Sequence, residues 1–256
     1  MLRRLRLQCS GSEVGDTFAM GKSQEEPALP VEEVSADFAR QWWKSLMANV
    51  VELVQDAAVL ADRGSWGRAQ ALLILAMEEL AKARWIYEMA EWEWTAPLGV
   101  FGLKARPARD VQVPDGLRVV RGLHGDKLQA AEQFASGLGG FWDSNRRAEY
   151  YELPDLESFR ATARERNGAK QAGFYVDRRA DVIASPLDIP AEGVQEQLRR
   201  TAAVIEMHLI EDHTRQQDAS DPALIDSVQY LHWAILPYAA AEHFAPNAVD
   251  PEGDDG

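Results

Sequence analysis

The stretch from residue 66 to residue 94 constrains the fold most, because apolar side chains surround nearly its whole helical circumference. At about 100° per residue, one sector of the helix holds Ala69, Leu72, Leu73, Ala76, Leu80, Ala83 and Tyr87, and the opposite side holds Ile74 and Met77. A helix that is apolar all round is usually buried. This stretch therefore predicts a central helix with neighbours on several sides.

Two adjacent acids and a lysine interrupt this apolar stretch. Glu79 falls within the main apolar sector, whereas Glu78 and Lys82 lie toward its edge. A carboxylate in that sector needs a partner, because burying an uncompensated charge is costly or forces its protonation. Two interpretations stay open at this point: a structural ion pair with a Lys or Arg, and a polar site between helices.

Helical periodicity continues through most of the chain and predicts an all-α fold. Helices are expected over about 31–62, 66–94, 117 or 123 to 138, 153–173, 191–217 and 221–244, with Ser35, Ser65 and Asp155 as N-caps. The Gly-rich stretch 137–140 is expected to interrupt the third helix, and 95–117 to form a long surface loop. Residues 173–177 are expected to form a short extended segment.

The two ends of the chain differ in composition from the middle. Residues 1–30 are polar and are expected to be a disordered leader, in which the first 19 residues precede a second methionine, Met20, and are set aside from the fold. Residues 246–256 form an acidic tail that is expected to be disordered. Residues 31–245 are therefore predicted to be a single helical domain.

Charge and cysteine content limit the classes of function. The formal net charge is −14 over 256 residues, which argues against coating nucleic acid without regard to sequence, since that requires many cations on phosphates. A single cysteine, Cys9, excludes an internal disulfide framework and a cysteine zinc site. No apolar run approaches the roughly 20 residues that span a bilayer. We expect a cytoplasmic protein without membrane association.

The third predicted helix carries its own polar pair on an apolar stripe. His124 and Lys127 share one sector with Leu128, Ala131, Ala135 and Leu138. A single histidine there is most often a satisfied core residue. Two polar groups on the bundle-facing stripe instead suggest that His124 and Lys127 meet Glu79 of the central helix.

A metal site is a weaker interpretation of another run of ligand-type side chains. The run contains Glu206, His208, Glu211, Asp212 and His213. Carboxylate-bridged metal bundles usually use a Glu-x-x-His spacing, which neither histidine of this run has. A charged, solvated helix face explains the run better, and we expect neither a metal nor a cofactor.

Three segments together resemble the AbiV-type abortive infection proteins, which are counted among the HEPN-like all-α families of bacterial anti-phage defence. They are "ALLILAMEELAKA" (71–83), "HGDKLQAA" (124–131) and "NGAKQAGFYVD" (167–177), followed by Pro186. The resemblance covers about residues 35–240. The chain departs from it at Ala81, where the family usually has glycine. The resemblance implies a HEPN-like bundle that brings together Glu78, Glu79, Lys82, His124 and Lys127, with Lys170, Tyr175 and Asp177 returning to the same region.

The resemblance also implies a reaction, because HEPN proteins are often metal-independent ribonucleases with an arginine and a histidine spaced along one helix. Arg118 and His124 have that spacing, although Val119 stands where a polar residue is usual. His124 would act as general base on a ribose 2′-OH, because imidazoles titrate near neutral pH. Glu79 would orient it or hold a lysine charged. The charged phosphorane would be stabilised by Lys127 or Lys82, with Arg118 or Arg121.

An alternative from another class is a non-catalytic binding module. In that case the polar residues only set the helix register, and the loop 95–117 with Trp92, Trp94 and Phe101 engages a phage protein or a host translation factor. In either case the expected outcome is arrest of the infected cell. A homodimer is the expected assembly.

Overall fold

The structure is a computed structural model that describes residues 31–100, 102–118, 124–142 and 155–239. Helices dominate these residues, as the periodicity predicts. All of them belong to one compact unit. The predicted leader (1–30) and acidic tail (246–256) lie outside the described residues, as do Phe101 and Arg121.

Helices α1 (Ala36–Asp62) and α2 (Trp66–Thr95) form the predicted antiparallel hairpin. Ser35 caps α1 as expected, because its hydroxyl accepts a hydrogen bond from the backbone N–H of Phe38. The indole N–H of Trp94, near the end of α2, donates to the carbonyl of Ala36 at the start of α1, at 2.9 Å. The end of α2 is thus joined to the start of α1, as in an antiparallel pair of helices.

The remaining helices surround α2. They are α3 (Asp115–Arg118), α4 (His124–Trp142), α5 (Leu156–Phe174), α6 (Val194–Gln216) and α7 (Gln229–Ala239). Helix α2 packs against α1, α4, α5 and α6. Its apolar residues on both sides, including Leu73, Ile74 and Leu80, are buried. The prediction of a central helix from apolarity on all sides is confirmed.

Close backbone contact joins α5 to α2. A Cβ atom on Gly173 would collide with the carbonyl oxygen of Gly67 and would lie 2.8 Å from the Cβ of Ala71. A side chain at Gly67 would in turn meet the carbonyl oxygen of Pro186. Glycine at 173 therefore lets α5 approach α2, and glycine at 67 lets the segment at Pro186 approach the start of α2.

Two short antiparallel pairs of strands accompany the helices. Strand β1 (Glu33–Val34) pairs with β2 (Val111–Gln112), and β3 (Asp177–Arg179) pairs with β4 (Val182–Ala184) in a hairpin. The expected extended segment at 173–177 thus begins as the last turn of α5 and continues into β3. Asp155 caps α5 as predicted, accepting from the backbone N–H of Ser158 at 2.7 Å.

Three local predictions are wrong. Ser65 precedes α2 without a capping hydrogen bond, and its hydroxyl instead accepts from Arg68. Helix α4 continues through 137–140, since a glycine is tolerated inside a helix at a cost of only about 1 kcal/mol. The last helix begins at Gln229 rather than near 221, because Pro222 opens only a short 3-10 turn that Asp221 caps.

Within the described residues, no helix is both long and apolar enough to cross a membrane.

Candidate active site

Glu78, on the central helix α2, is the buried acid of this region. Its side chain is 4% exposed, whereas the side chain of Glu79 is 21% exposed. The assignment of Glu79 to the apolar sector and of Glu78 to its edge is therefore reversed. The physical reason is that α2 has neighbours on several sides, so its apolar sectors do not reveal which side meets α4 and α5.

His124, the first residue of α4, contacts this carboxylate. Its Nδ1 lies 2.9 Å from Oε2 of Glu78. The imidazole itself is 55% exposed, while the carboxylate side chain is 4% exposed. The ring is thus anchored at one nitrogen by a buried acid and open to solvent on the other side. The predicted meeting of α2 and α4 through ionisable side chains is found, with Glu78 in place of Glu79.

Lys170, on α5, completes the arrangement. Its ammonium donates to Oε1 of Glu78 in a buried ion pair, and its Nζ lies 3.4 Å from Nδ1 of His124. The side chain is 5% exposed. The two oxygens of one carboxylate are therefore shared between an imidazole and an ammonium. We call Glu78, His124 and Lys170 the Glu78 cluster.

The other predicted site residues of α2 and α4 lie outside this cluster. Lys82 forms an ion pair with Glu79 one turn along α2, and both side chains are partly exposed. Lys127 lies one turn after His124, is half-buried, and forms no ion pair with the described part of the chain. The ammonium of Lys82 is thus paired, whereas the ammonium of Lys127 has no acidic partner among the described residues.

Arg118 and His124 do not lie on one described helix. Arg118 ends α3 and donates to Asp115 at 2.6 Å, while His124 begins α4. Arg121 falls in the interval 119–123, outside the described residues. The expected placement of Arg118 and His124 on a single helix is therefore not found within the described residues.

Tyr175 and Asp177 follow Lys170 at the end of α5. Tyr175 is 62% exposed and its ring packs against Phe174. Asp177 begins β3 and accepts a hydrogen bond from the backbone N–H of Arg178. Both residues line a groove of about 210 Å³ together with Val176 and Ala184. The described ring contact of Tyr175 is thus made at the end of α5, and the described hydrogen bond of Asp177 within β3.

A second buried acid follows the Glu78 cluster along the same helices. Glu132 lies two turns after His124 on α4. Its carboxylate accepts a hydrogen bond from Arg200 of α6 at 2.8 Å and forms an ion pair with Arg166 of α5 at 3.3 Å. Arg166 stands one turn before Lys170. Because each acid has cations from neighbouring helices, these ion pairs fix the register of α4, α5 and α6.

Sequence reasoning missed a larger buried network around Asp212. Its carboxylate, fully buried on α6, accepts two hydrogen bonds from Arg40 of α1, at 2.7 and 2.8 Å. Although burial alone lowers it, the hydrogen bonds and charges of Asp212 and Asp226 raise the pKa of Arg40 above its ordinary value. The sequence of α1 did indicate a buried arginine, because Arg40 lies on the apolar stripe that contains Ala36, Ala39 and Trp43.

His208 is also fully buried, four residues before Asp212 on α6. The indole of Trp43 donates to its Nε2 at 3.1 Å, so the ring proton is on Nδ1, which faces Glu211 at 3.3 Å. Burial lowers the pKa of His208. The interpretation of 206–213 as a solvated face is therefore wrong. Buried side chains at 205, 208, 209 and 212 follow helical spacing, which was the missed signal.

No group of three or more metal-ligating side chains occurs within the described ranges. Arg84 contacts Glu211 and lies over the ring of Phe134, so an arginine stands beside the carboxylate nearest His208. His232 lies 3.4 Å from Glu206. The acids of this run thus have cationic or imidazole partners from other helices.

Of the two tryptophans assigned to the alternative interaction surface, one is buried and one is exposed. Trp94 is 8% exposed and packs against Trp43 and Tyr87 in the core, so its assignment to a partner surface is wrong. Trp92 is 66% exposed. The aromatic spacing alone does not separate these two residues, because they differ only in the side of α2 that they occupy.

The geometry of the Glu78 cluster fits an acid–base site. A buried carboxylate orients the imidazole through Nδ1, which leaves Nε2 to exchange a proton with a ligand. The ammonium of Lys170 forms a buried ion pair with the other oxygen of the same carboxylate. These three side chains come from the three segments on which the family resemblance rests.

One comparison with known proteins identifies the family of this chain. The model of the HEPN-type family AbiV matches residues 38–206, which include Glu78, His124 and Lys170. No curated protein and no solved structure matches the chain. The match extends over well more than half of the chain and runs from α1 into α6. The chain therefore belongs to the AbiV family of HEPN-type, helical proteins, whose role is abortive infection in defence against phage.

Proposed function

We propose that this protein arrests the infected cell by cleaving RNA at the Glu78 cluster, with His124 as the general base. The observation that carries the proposal is the half-exposed imidazole of His124 held at 2.9 Å by a buried carboxylate. A carboxylate that anchors one imidazole nitrogen leaves the other in position to accept a proton. The family role in abortive infection supports a reaction that stops growth.

The reaction that suits a single imidazole is internal attack of a ribose 2′-oxygen on the adjacent phosphorus. His124 accepts the proton of the 2′-OH as the new P–O bond forms and the bond to the 5′-oxygen breaks. The leaving 5′-oxygen takes a proton from Lys127 or from water. The products are a 2′,3′-cyclic phosphate and a 5′-hydroxyl. Because the nucleophile belongs to the substrate, this class of reaction does not need a metal ion.

Cations near the imidazole would stabilise the charge that develops on the phosphorane. Lys127 lies on the same face of α4, one turn from His124, and the described residues leave its ammonium unpaired. Lys170 is buried against Glu78, and Lys82 is held by Glu79. We therefore assign phosphate contact to Lys127 and the positioning of Glu78 to Lys170.

The test is cleavage of RNA by the purified protein in the presence of EDTA, with detection of cyclic phosphate ends. His124→Ala is expected to lower the rate about 100-fold or more, since a general base typically contributes about 10²–10⁴. His213→Ala is the matched control, because His213 is an exposed histidine on α6. Intact RNA with the wild-type protein in arrested cells would contradict the proposal.

A second function is a binding module, and one observation favours it. Large apolar side chains are exposed around the β3–β4 hairpin, at Val176, Val182, Ile183 and Leu187. In this case a phage or translation-related protein docks on the hairpin, and growth arrest follows without RNA cleavage. Ile183→Ser would then abolish arrest while His124→Ala would not. Comparing these two variants in the same arrest assay separates the two functions.

The oligomeric state bears on both functions. A homodimer stays a prediction, and light scattering after size-exclusion chromatography measures it directly.

A further inference from the structure

A second group of ion pairs lies beside the Glu78 cluster and takes no part in the acid–base chemistry proposed for His124. The carboxylate of Glu132 on α4 is shared by Arg200 of α6, at 2.8 Å, and Arg166 of α5, at 3.3 Å. The side chain of the acid is 6% exposed, whereas those of Arg200 and Arg166 are 45% and 25% exposed. The acid therefore lies inside the bundle and the two cations extend to its surface. We call Glu132, Arg166 and Arg200 the Glu132 cluster.

The Glu132 cluster carries one more positive than negative charge. Arg200 uses Nη2 and Arg166 uses Nε in these contacts, and their remaining nitrogens have no partner in the described part of the chain. None of the unused nitrogens of Arg166 is a buried donor. The surplus charge and the unused donors are therefore available to a ligand at the surface.

The Glu132 cluster is adjacent to the Glu78 cluster. A shallow groove at the Glu132 cluster is also lined by Met77, which precedes the acid of the Glu78 cluster, and by Leu128, one turn after His124. Glu132 itself follows His124 by eight residues, which is about 12 Å along α4 at 1.5 Å per residue. A polymer bound at His124 can therefore extend to the Glu132 cluster.

The size of this groove decides what kind of group binds there. Its volume is only about 10 Å³, roughly the space of one water molecule. A planar base cannot enter it, whereas charged donors at its rim can bind an oxyanion that stays outside. The group that fits is therefore a phosphate of a nucleic-acid backbone.

The electrostatics of α5 differ from those of the whole chain. The net charge of the chain is −14, yet α5 carries four basic and two acidic side chains. Glu157, one of the two acids, is matched by two arginines of the same helix. The other, Glu165, lies about 140° around the helix axis from Lys170, at 100° per residue. The face of α5 that carries Arg166 and Lys170 is thus not opposed by acids of its own helix.

We infer that Arg166 and Arg200 bind a backbone phosphate next to the one that is cleaved, an inference that rests on the proposed RNA cleavage by His124. Glu132 positions the two guanidinium groups, and their unused N–H donors bind the phosphate oxygens. A contact to the backbone fixes the register of the strand without reading its bases. The substrate class is therefore an RNA chain longer than a dinucleotide, selected by its phosphates and not by a base at this position.

The experiment measures binding separately from cleavage. The probe is a fluorescent RNA of about ten nucleotides, within the range of about 4–16 that single-strand sites occupy, and its 2′-oxygens are methylated so that they cannot attack. Fluorescence anisotropy with the full chain gives the dissociation constant at several salt concentrations. Arg200→Gln is expected to weaken binding about tenfold. It is also expected to lower the slope of log K against log salt concentration by about 0.7, the value for one phosphate contact on a single strand.

Two further variants separate a phosphate contact from a general effect of charge or folding. Arg199→Gln is the matched control, because Arg199 is a 52% exposed arginine of the same helix that is paired with Glu196. It is expected to bind the probe as the wild type does. Arg200→Lys keeps the charge and is expected to recover the salt slope of the wild type. Because Glu132 keeps Arg166 as a partner, all these variants are expected to retain the helical circular dichroism of the wild type.

A second measurement uses only the wild type and so does not depend on the folding of a variant. A dinucleotide with the same methylated 2′-oxygens contains a single phosphate and cannot reach both clusters. It is expected to compete with the fluorescent probe at least about tenfold more weakly than an unlabelled RNA of the full length does.

The outcomes distinguish this inference from the proposed function. Equal affinity and equal salt slope in the wild type and folded Arg200→Gln, or a dinucleotide that competes as well as the longer RNA, overturns the inference even where the wild type cleaves RNA. Binding that depends on Arg200, by a wild-type protein that leaves unmethylated RNA intact, overturns the proposed cleavage and upholds the phosphate contact. Absence of binding by the wild type overturns both.

Discussion

Nδ1 of His124 lies 2.9 Å from Oε2 of Glu78, and the other oxygen of that carboxylate holds the ammonium of Lys170. An exposed imidazole is thereby coupled to a buried charge through a single side chain. Helices α2, α4 and α5 each contribute one of the three residues, so the arrangement exists only when all three helices are packed. Stability and activity can therefore be separated at this cluster by choosing which partner is removed.

Removing the acid alone is expected to destabilise the protein strongly. In Glu78→Ala the ammonium of Lys170, with 5% of its side chain exposed, loses its counter-charge, and breaking a buried pair in this way costs about 3–5 kcal/mol. Glu79→Ala is the matched control, because its partly exposed pair with Lys82 contributes about 1 kcal/mol or less. Urea denaturation measures both variants. An equal decrease in the free energy of unfolding of both variants would show that the buried pair stabilises the fold no more than the exposed pair does.

Replacing both charges by apolar residues is expected to separate structure from function. Glu78→Met combined with Lys170→Leu removes the pair without leaving a buried charge, and such exchanges are often neutral or stabilise by about 1–4 kcal/mol. Because His124 then lacks its orienting carboxylate, RNA cleavage and growth arrest are expected to be lost in a folded protein. Retention of both activities in the double variant would assign the cluster a purely structural role.

Acidification is expected to destabilise the protein through His208. Burial lowers the pKa of His208 in the folded state below the ordinary value of 6.5, so the unfolded chain binds a proton that the folded chain does not. The free energy of unfolding contributed by neutral His208 is therefore complete above pH 6.5 and is lost as the pH falls toward the folded pKa.

The measurement compares urea denaturation at pH 7.5 and pH 5.5 for the wild type and His208→Gln. Both pH values lie above 4.5, the ordinary pKa of glutamate. Burial raises the pKa of Glu211, but the hydrogen bond with His208 and the charge of Arg84 lower it further, so that its pKa is below the ordinary value. Burial raises the pKa of Glu206, which both proteins share. The variant is expected to lose less stability than the wild type, and an equal loss would contradict the assignment.

Contact between α5 and α2 is expected to tolerate no side chain at Gly173. In Gly173→Ala the added Cβ collides with the backbone of Gly67, and overpacking of this kind costs about 1–3 kcal/mol. Gly168→Ala, on the same helix, is the control because nothing lies near its added Cβ. This control is expected to stabilise by about 0.5–1 kcal/mol through helix propensity. Thermal unfolding of the two variants should shift in opposite directions.

Much of the fold follows from local patterns along the chain. The central position of α2 is predicted by apolar residues on all its sides, and the starts of α1 and α5 by Ser35 and Asp155. Local signals fail at 137–140, through which α4 continues, and at Ser65, whose hydroxyl accepts a hydrogen bond from Arg68 three residues later instead of capping α2.

The candidate site was predictable in its helices and less so in its residues. The pairing of α2 with α4 and the return of Lys170 to the same region follow from the three segments of the family resemblance. The choice between Glu78 and Glu79 does not, because both lie next to apolar residues on a helix that is surrounded. Arg40, the partner of Asp212 from α1, lies 172 residues away in the sequence, and no local spacing relates the two.

The sequence by itself determined that the chain is helical, that α2 is central, and that charged side chains must meet partners within the bundle, since burial without a partner is too costly. Only the tertiary structure decided which acid faces His124 and Lys170 and which arginines surround Asp212. The rotation of each helix about its axis depends on contacts with all its neighbours at once, and Gly67 and Gly173 show how one close approach determines the rest.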